Sequence, residues 1–187
     1  MAGHAHVDHV GDKRIALLIA VLALCLALVE TGAKSAQTEA LTRNVEAANL
    51  WSFFQARTIR QTTVRTAAEQ AELEKARLTD AAALAGLEAQ QKAWRDTAAR
   101  WESEPQTGEG RRELTQRAQA AEHARDRNMA QYHLYEYSAA LFQVAIVVAS
   151  SSIITGVPLL AFAGIALGAA GIALGTLGWL APQAVHF

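Results

Sequence analysis

Apolar residues crowd the two ends of the chain and polar ones fill the middle. Residues 15–29 form an unbroken apolar run, IALLIAVLALCLALV, and extending it to Ala33 gives a stretch long enough to span a bilayer with Glu30 near the headgroups. A secretory signal peptide is the competing reading, because Lys13 and Arg14 precede the run; the polar segment after it carries no A-x-A-like cleavage site. From Ser138 the chain turns apolar again. Residues 139–156 read as a second span and residues 159–180 as a third, joined by the uncharged turn Gly156-Val157-Pro158. Tyr132, Tyr135 and Tyr137 before the second span and Trp179 at the end of the third then fall at one interface, where amphipathic rings prefer to sit.

Residues 34–138 are of a different character. They hold 15 basic residues, 15 acidic residues and 22 alanines, against three glycines and one proline. Alanine, Arg, Gln, Glu and Leu are the best helix formers. Pairs in the favourable i, i+4 order recur, among them Glu39–Arg43, Glu88–Lys92, Asp96–Arg100 and Glu113–Arg117. No strand-like alternation runs for a useful length, and no long internal repeat is evident. The clearest break is residues 103–110, SEPQTGEG. A helix from 34 to 102 would be far longer than the return path 111–138, so the outgoing path must fold back near Thr79–Asp80 or Gly86. The expected fold is therefore all-α: a mobile tail 1–14, a transmembrane helix 15–33, an extramembrane coiled-coil-like hairpin or small bundle 34–138, transmembrane helices 139–156 and 159–180, and a tail 181–187.

Composition then excludes several chemistries. A net charge of −1 argues against a nucleic-acid binder. The single cysteine, Cys25, excludes an intrachain disulfide and a Cys-based zinc site. There is no P-loop, GxGxxG fold signature, HExxH or GxSxG, so neither an enzyme nor a cofactor is expected. His4, His6, Asp8 and His9 lie on a tail that supplies no fixed metal geometry, and His123, His133 and His186 are scattered.

The sharpest local pattern is glycine. Gly164, Gly168, Gly171, Gly175 and Gly178 share one face of the last span, where missing side chains permit close helix approach, either by residues 139–156 of the same chain or by further copies of it. Gln143 and Ser150 share a face of the second span and could line a polar path if copies assembled around an axis. In the middle region, Trp51, Phe53 and Phe54 interrupt alanine and charge and call for burial. By helix rise, Trp51 should meet the return helix near Gln119–Glu122.

The segment NLWSFFQARTIR, the later YHLYEYSAALFQVAIVVASSS and the glycine-rich last span together resemble the bacterial membrane proteins of domain-of-unknown-function family 4337. Asn49, Trp51, Phe54, Gln55, Ala56 and Arg57 carry the middle pattern; His133, Leu141, Gln143 and Ala145 fit the later one. The resemblance implies a bacterial integral membrane protein with helices at both ends and implies no activity. Asn49, Trp51, Gln55 and Arg57 combine amide, indole and guanidinium groups suited to a buried polar contact between helices. The expected role is a homo-oligomeric scaffold or accessory subunit, with the lipid bilayer and another membrane complex as partners; a small ion channel is the alternative. Lys13 and Arg14 favour a cytoplasmic N-terminus and a periplasmic middle region, while Lys34, Arg43, Arg125 and Arg127 pull the other way.

Overall fold

A computed structural model describes residues 5–184, with side chains from Lys13 onward. The side chains of His4, His6, Asp8, His9 and His186 lie outside that description. Four α-helices follow in order: α1 Ala5–Lys75, α2 Ala81–Glu102, α3 Arg111–Thr155 and α4 Pro158–Leu180. There are no strands among the described residues. α1 starts at Ala5, so helix reaches back into the segment expected as a mobile tail. No proline interrupts that stretch, and extending an existing helix needs no new nucleus.

Each break has a local cause. After α1, Asp80 caps α2: its carboxylate accepts from the backbone N–H groups of Ala82 at 3.4 Å and Ala83 at 3.1 Å. The outgoing path therefore folds back at Thr79–Asp80, whereas Gly86 is carried inside α2. Residues 103–110 separate α2 from α3; Gly108 has φ +68°, and a Cβ on Gly110 would overlap the backbone of Glu104. Gly156 adopts φ +67° between α3 and α4, and Pro158 opens α4 where its missing N–H costs nothing.

The chain forms two compact units, one combining residues up to Leu41 with those from Ala124 onward, the other Thr42–His123. In the first, Leu22 of α1 packs with Phe142 and Ala145 of α3. The glycine face of α4 lies against the same chain. Gly164 meets Ala145 and Ala149, Gly168 meets Leu22, Gly171 meets Phe142, Gly175 meets Ser138 and Val29, and Gly178 meets Leu134 and Tyr135. The buried Ser138 hydroxyl donates to the Gly171 carbonyl at 2.6 Å, a contact that requires this approach. Three helices in the chain are long and apolar enough to cross a membrane, and apolar side chains such as Leu24, Val147 and Phe162 point outward.

At Gly171 an added Cβ would stand 3.1 Å from the Phe142 ring. Gly171→Leu is expected to lower the stability of this unit by about 1–3 kcal/mol through overpacking. Thermal unfolding in detergent checks this; an unchanged melt means that α4 does not depend on that contact.

Candidate functional site

The second unit holds most of the chain's organised polar chemistry. Its apolar floor is small: Ala47 and Leu50 of α1 against Leu114, Ala118 and Ala121 of α3, with Trp51 and Phe54 at the edge. Alanine at these positions brings the helices close. The two aromatics meet edge to face at 5.5 Å. Trp51 Nε1 donates to Glu122 Oε1 at 2.9 Å, on the stretch of return helix that the helix rise indicated.

Between α1 and α2 lies a polar seam with two matching clamps. Gln61, buried on α1, donates through Nε2 to the Ala98 carbonyl at 2.8 Å and to Glu102 at 3.0 Å. Gln91, buried on α2, donates to the Ala68 carbonyl at 2.8 Å and to Glu72 at 2.6 Å. Arg65 lies 3.8 Å from Glu102, and Arg95 lies 3.2 Å from Glu72. The clamps are reciprocal because the sequence is: Gln61, Arg65, Ala68 and Glu72 recur at the same spacing as Gln91, Arg95, Ala98 and Glu102. Antiparallel packing of two copies of one short pattern makes a local two-fold arrangement. Sequence reading missed this repeat, whose signal is the Q-x3-R-x2-A-x3-E spacing rather than overall similarity.

α3 enters the seam through Arg111. Its guanidinium donates to Thr58 at 3.0 Å, to the Gln61 side-chain oxygen at 2.8 Å and to Glu102 at 2.9 Å, and lies 5.0 Å from the Phe54 ring centre. Glu102, at the end of α2, therefore receives donors from both of the other helices. The Gln61 amide above all, then the Arg111 and Arg112 charges, hold its carboxyl below the usual range for glutamate. The Gln91 amide, with Lys75 next, does the same for Glu72. Glu113 is lowered by the Ser103 hydroxyl, which donates to it at 2.7 Å, and by the Glu104 N–H, so this carboxylate ties the start of α3 to the turn before it.

The residues singled out from the sequence divide into two groups. Trp51 and Phe54 pack inward, and Arg57 reaches Glu109 at 2.6 Å and Glu104 at 3.8 Å. Asn49 and Gln55 are exposed on the outer side of α1 and take no part in the seam. In the other unit, Gln143 donates to Glu30 at 3.4 Å, and the Ser150 hydroxyl turns back to the Ile146 carbonyl of its own helix at 2.7 Å. Glu30, Lys34, Tyr132, Glu136 and Gln143 line an open groove of about 490 Å³ there. Among the described residues no cluster has the composition of a metal site.

A family model, Domain of unknown function (DUF4337), matches residues 11–181. No curated protein and no solved structure matches the chain.

Substitution and pH both test this unit. Trp51→Ala should cost about 2–3 kcal/mol, less than the ~3–5 kcal/mol of a fully buried tryptophan because part of the ring is exposed; an unaltered melt would show that Trp51 does not hold α3. For the seam carboxylates the folded pKa is depressed, so their stabilisation is complete above the unfolded value of about 4.3 and is lost as pH falls through the folded value. Melting of the helical signal should drop as the pH is taken below that value. Glu102→Gln should melt lower than the parent at pH 7, and the gap should narrow in acid; a gap independent of pH would mean that the Glu102 charge contributes nothing.

Proposed function

We propose a role from geometry because the chain belongs to the DUF4337 family, a domain of unknown function. The role is that of a non-enzymatic scaffold or accessory subunit in a bacterial inner membrane, assembling with copies of itself and presenting the helical bundle 42–123 to protein partners. The observation that carries this reading is where the bundle's buried amides go. Gln61 and Gln91 are both turned to the backbone of the neighbouring helix, so the polar interior serves helix registration. Charged side chains that could bind a substrate are instead tied across helix seams, as Arg111 and Glu102 are.

The outward apolar side chains of the other unit suit a lipid surround, and Lys13 and Arg14 support a cytoplasmic N-terminus with the bundle in the periplasm. The glycine face of α4 is occupied by α1 and α3 of the same chain, which supports a zipper-like role in folding the unit and directs self-assembly to another surface. A channel reading rests on Gln143 and Ser150. Their hydrogen bonds to Glu30 and to the α3 backbone give both groups partners within the chain.

Purified full-length protein in lipid nanodiscs should have a protein mass that is a multiple of 20.0 kDa, and its liposomes should pass no ions. A single-chain mass overturns the assembly, and a protein-dependent ion flux abolished by Gln143→Leu overturns the scaffold in favour of a channel.

A further inference from the structure

We infer, on the membrane placement of the first unit proposed above, that the groove between α1 and α3 in that unit holds the headgroup of a zwitterionic phospholipid whose ammonium carries N–H bonds, as phosphatidylethanolamine does. Every residue of the groove belongs to this one unit, and nothing in the argument depends on self-assembly.

The place of the groove in the fold selects the kind of ligand. On α1 it begins at Glu30, directly after the apolar run that ends at Val29. On α3 it extends from Tyr132 to Gln143, across the start of the second apolar stretch. α4 ends at Leu180 and its Gly178 packs on Tyr135, so the third apolar helix stops at the same level. Tyr137 and Trp179 are 48% and 72% exposed there, as rings at a headgroup boundary are. Small side chains, Ala33, Ala139 and Ala140, leave room between the polar groups.

The charges select the headgroup. Glu30 precedes Lys34 by four residues, an order in which the two would pair along the helix. They do not: the Glu30 carboxylate takes the Gln143 amide at 3.4 Å, and the Lys34 ammonium has no hydrogen-bond or ion-pair partner among the described residues. On the facing wall, Glu136 Oε1 accepts from the Tyr132 hydroxyl at 3.2 Å, and the His133 ring nitrogen stands 3.8 Å from Oε2, beyond hydrogen-bond distance. That carboxylate keeps lone pairs for another donor.

With Glu30 opposite Gln143, the rise of the two antiparallel helices carries Lys34 about 6 Å and Glu136 about 10 Å away from the apolar stretch. A phospholipid presents its groups in that order. Acyl chains come first, then phosphate, then ammonium, the last two joined through four bonds that span roughly 4–5 Å. Phosphate against Lys34 therefore leaves the ammonium beside Glu136. An anionic headgroup would satisfy Lys34 and bring nothing for Glu136, in a groove where two carboxylates already face one ammonium. A quaternary ammonium has no N–H to give a carboxylate and is held best among several aromatic faces, whereas the groove has one ring, Tyr132.

The test offers full-length protein in a nonionic detergent equal amounts of phosphatidylethanolamine, phosphatidylcholine and phosphatidylglycerol with identical chains, and counts bound lipid by native mass spectrometry. The ethanolamine lipid should be retained about tenfold more than either competitor, the worth of one charge-assisted contact. Lys34→Ala should lower that retention about tenfold, and Glu136→Lys should turn the preference toward phosphatidylglycerol. Lys92→Ala, in the other unit, should change neither. All three side chains are exposed, so the melts should match the parent. Equal retention of the three lipids, or a preference that survives both groove substitutions, overturns the groove and leaves the membrane placement standing. Displacement of the lipid by an equal concentration of free phosphoethanolamine overturns the lipid in favour of a soluble ligand. A chain that stays dissolved without detergent overturns both the groove and the membrane placement.

Discussion

Close approach of helices stripped of bulky side chains is the constraint on which the rest of this structure depends. Where alanine or glycine lies between two helices, a side chain on one can reach the backbone carbonyl of the other. Gln61 reaches Ala98, Gln91 reaches Ala68 and Ser138 reaches Gly171 in this way. A helical carbonyl retains a second lone pair after its own i+4 bond, so these contacts add to helix bonding without breaking it. Both units use the device, one with alanine and amides, the other with glycine and a hydroxyl. It suits a chain with few large side chains, because specificity then comes from directed hydrogen bonds rather than from the interlocking of shapes.

The polar groups of the bundle act together. Arg111 and Glu102 are bonded to each other and each also bonds to Gln61, so the three helices share one set of donors and acceptors. A half-satisfied network of this kind would cost more than it stabilises. Here the described side chains leave no buried polar atom unpaired.

Helix identity and the major turns were legible in the sequence because they depend on local chemistry. Asp80 before an alanine run, glycines at 108 and 110, and Gly156 before Pro158 each act within a few residues. The height at which Trp51 meets α3 was legible too, since it follows from helix rise alone. The glycine face could be seen, but not which surface fills it, because Leu22 and Phe142 are brought there by tertiary packing. The seam was not seen. Glu88, spaced to pair with Lys92 along its own helix, lies 3.9 Å from Lys75 across the hairpin. Spacing along one helix does not say which neighbour on another is nearer. Local composition before Lys13 suggested a tail, while the backbone is already helical from Ala5.

The two glutamine clamps also act as a vernier. Each engages the opposite helix seven residues from its twin, so Gln61 with Ala98 and Gln91 with Ala68 coincide in one alignment of the hairpin. Sliding α2 along α1 by a full heptad would bring Gln91 opposite Lys75 and carry the partner of Gln61 beyond Glu102 into the turn. Extra residues between Lys75 and Asp80 leave that alignment untouched. One extra residue between Gln61 and Glu72 would rotate part of the block by about 100° and disengage a clamp. Length in this molecule is therefore free to drift in its connection and is gauged inside its helices.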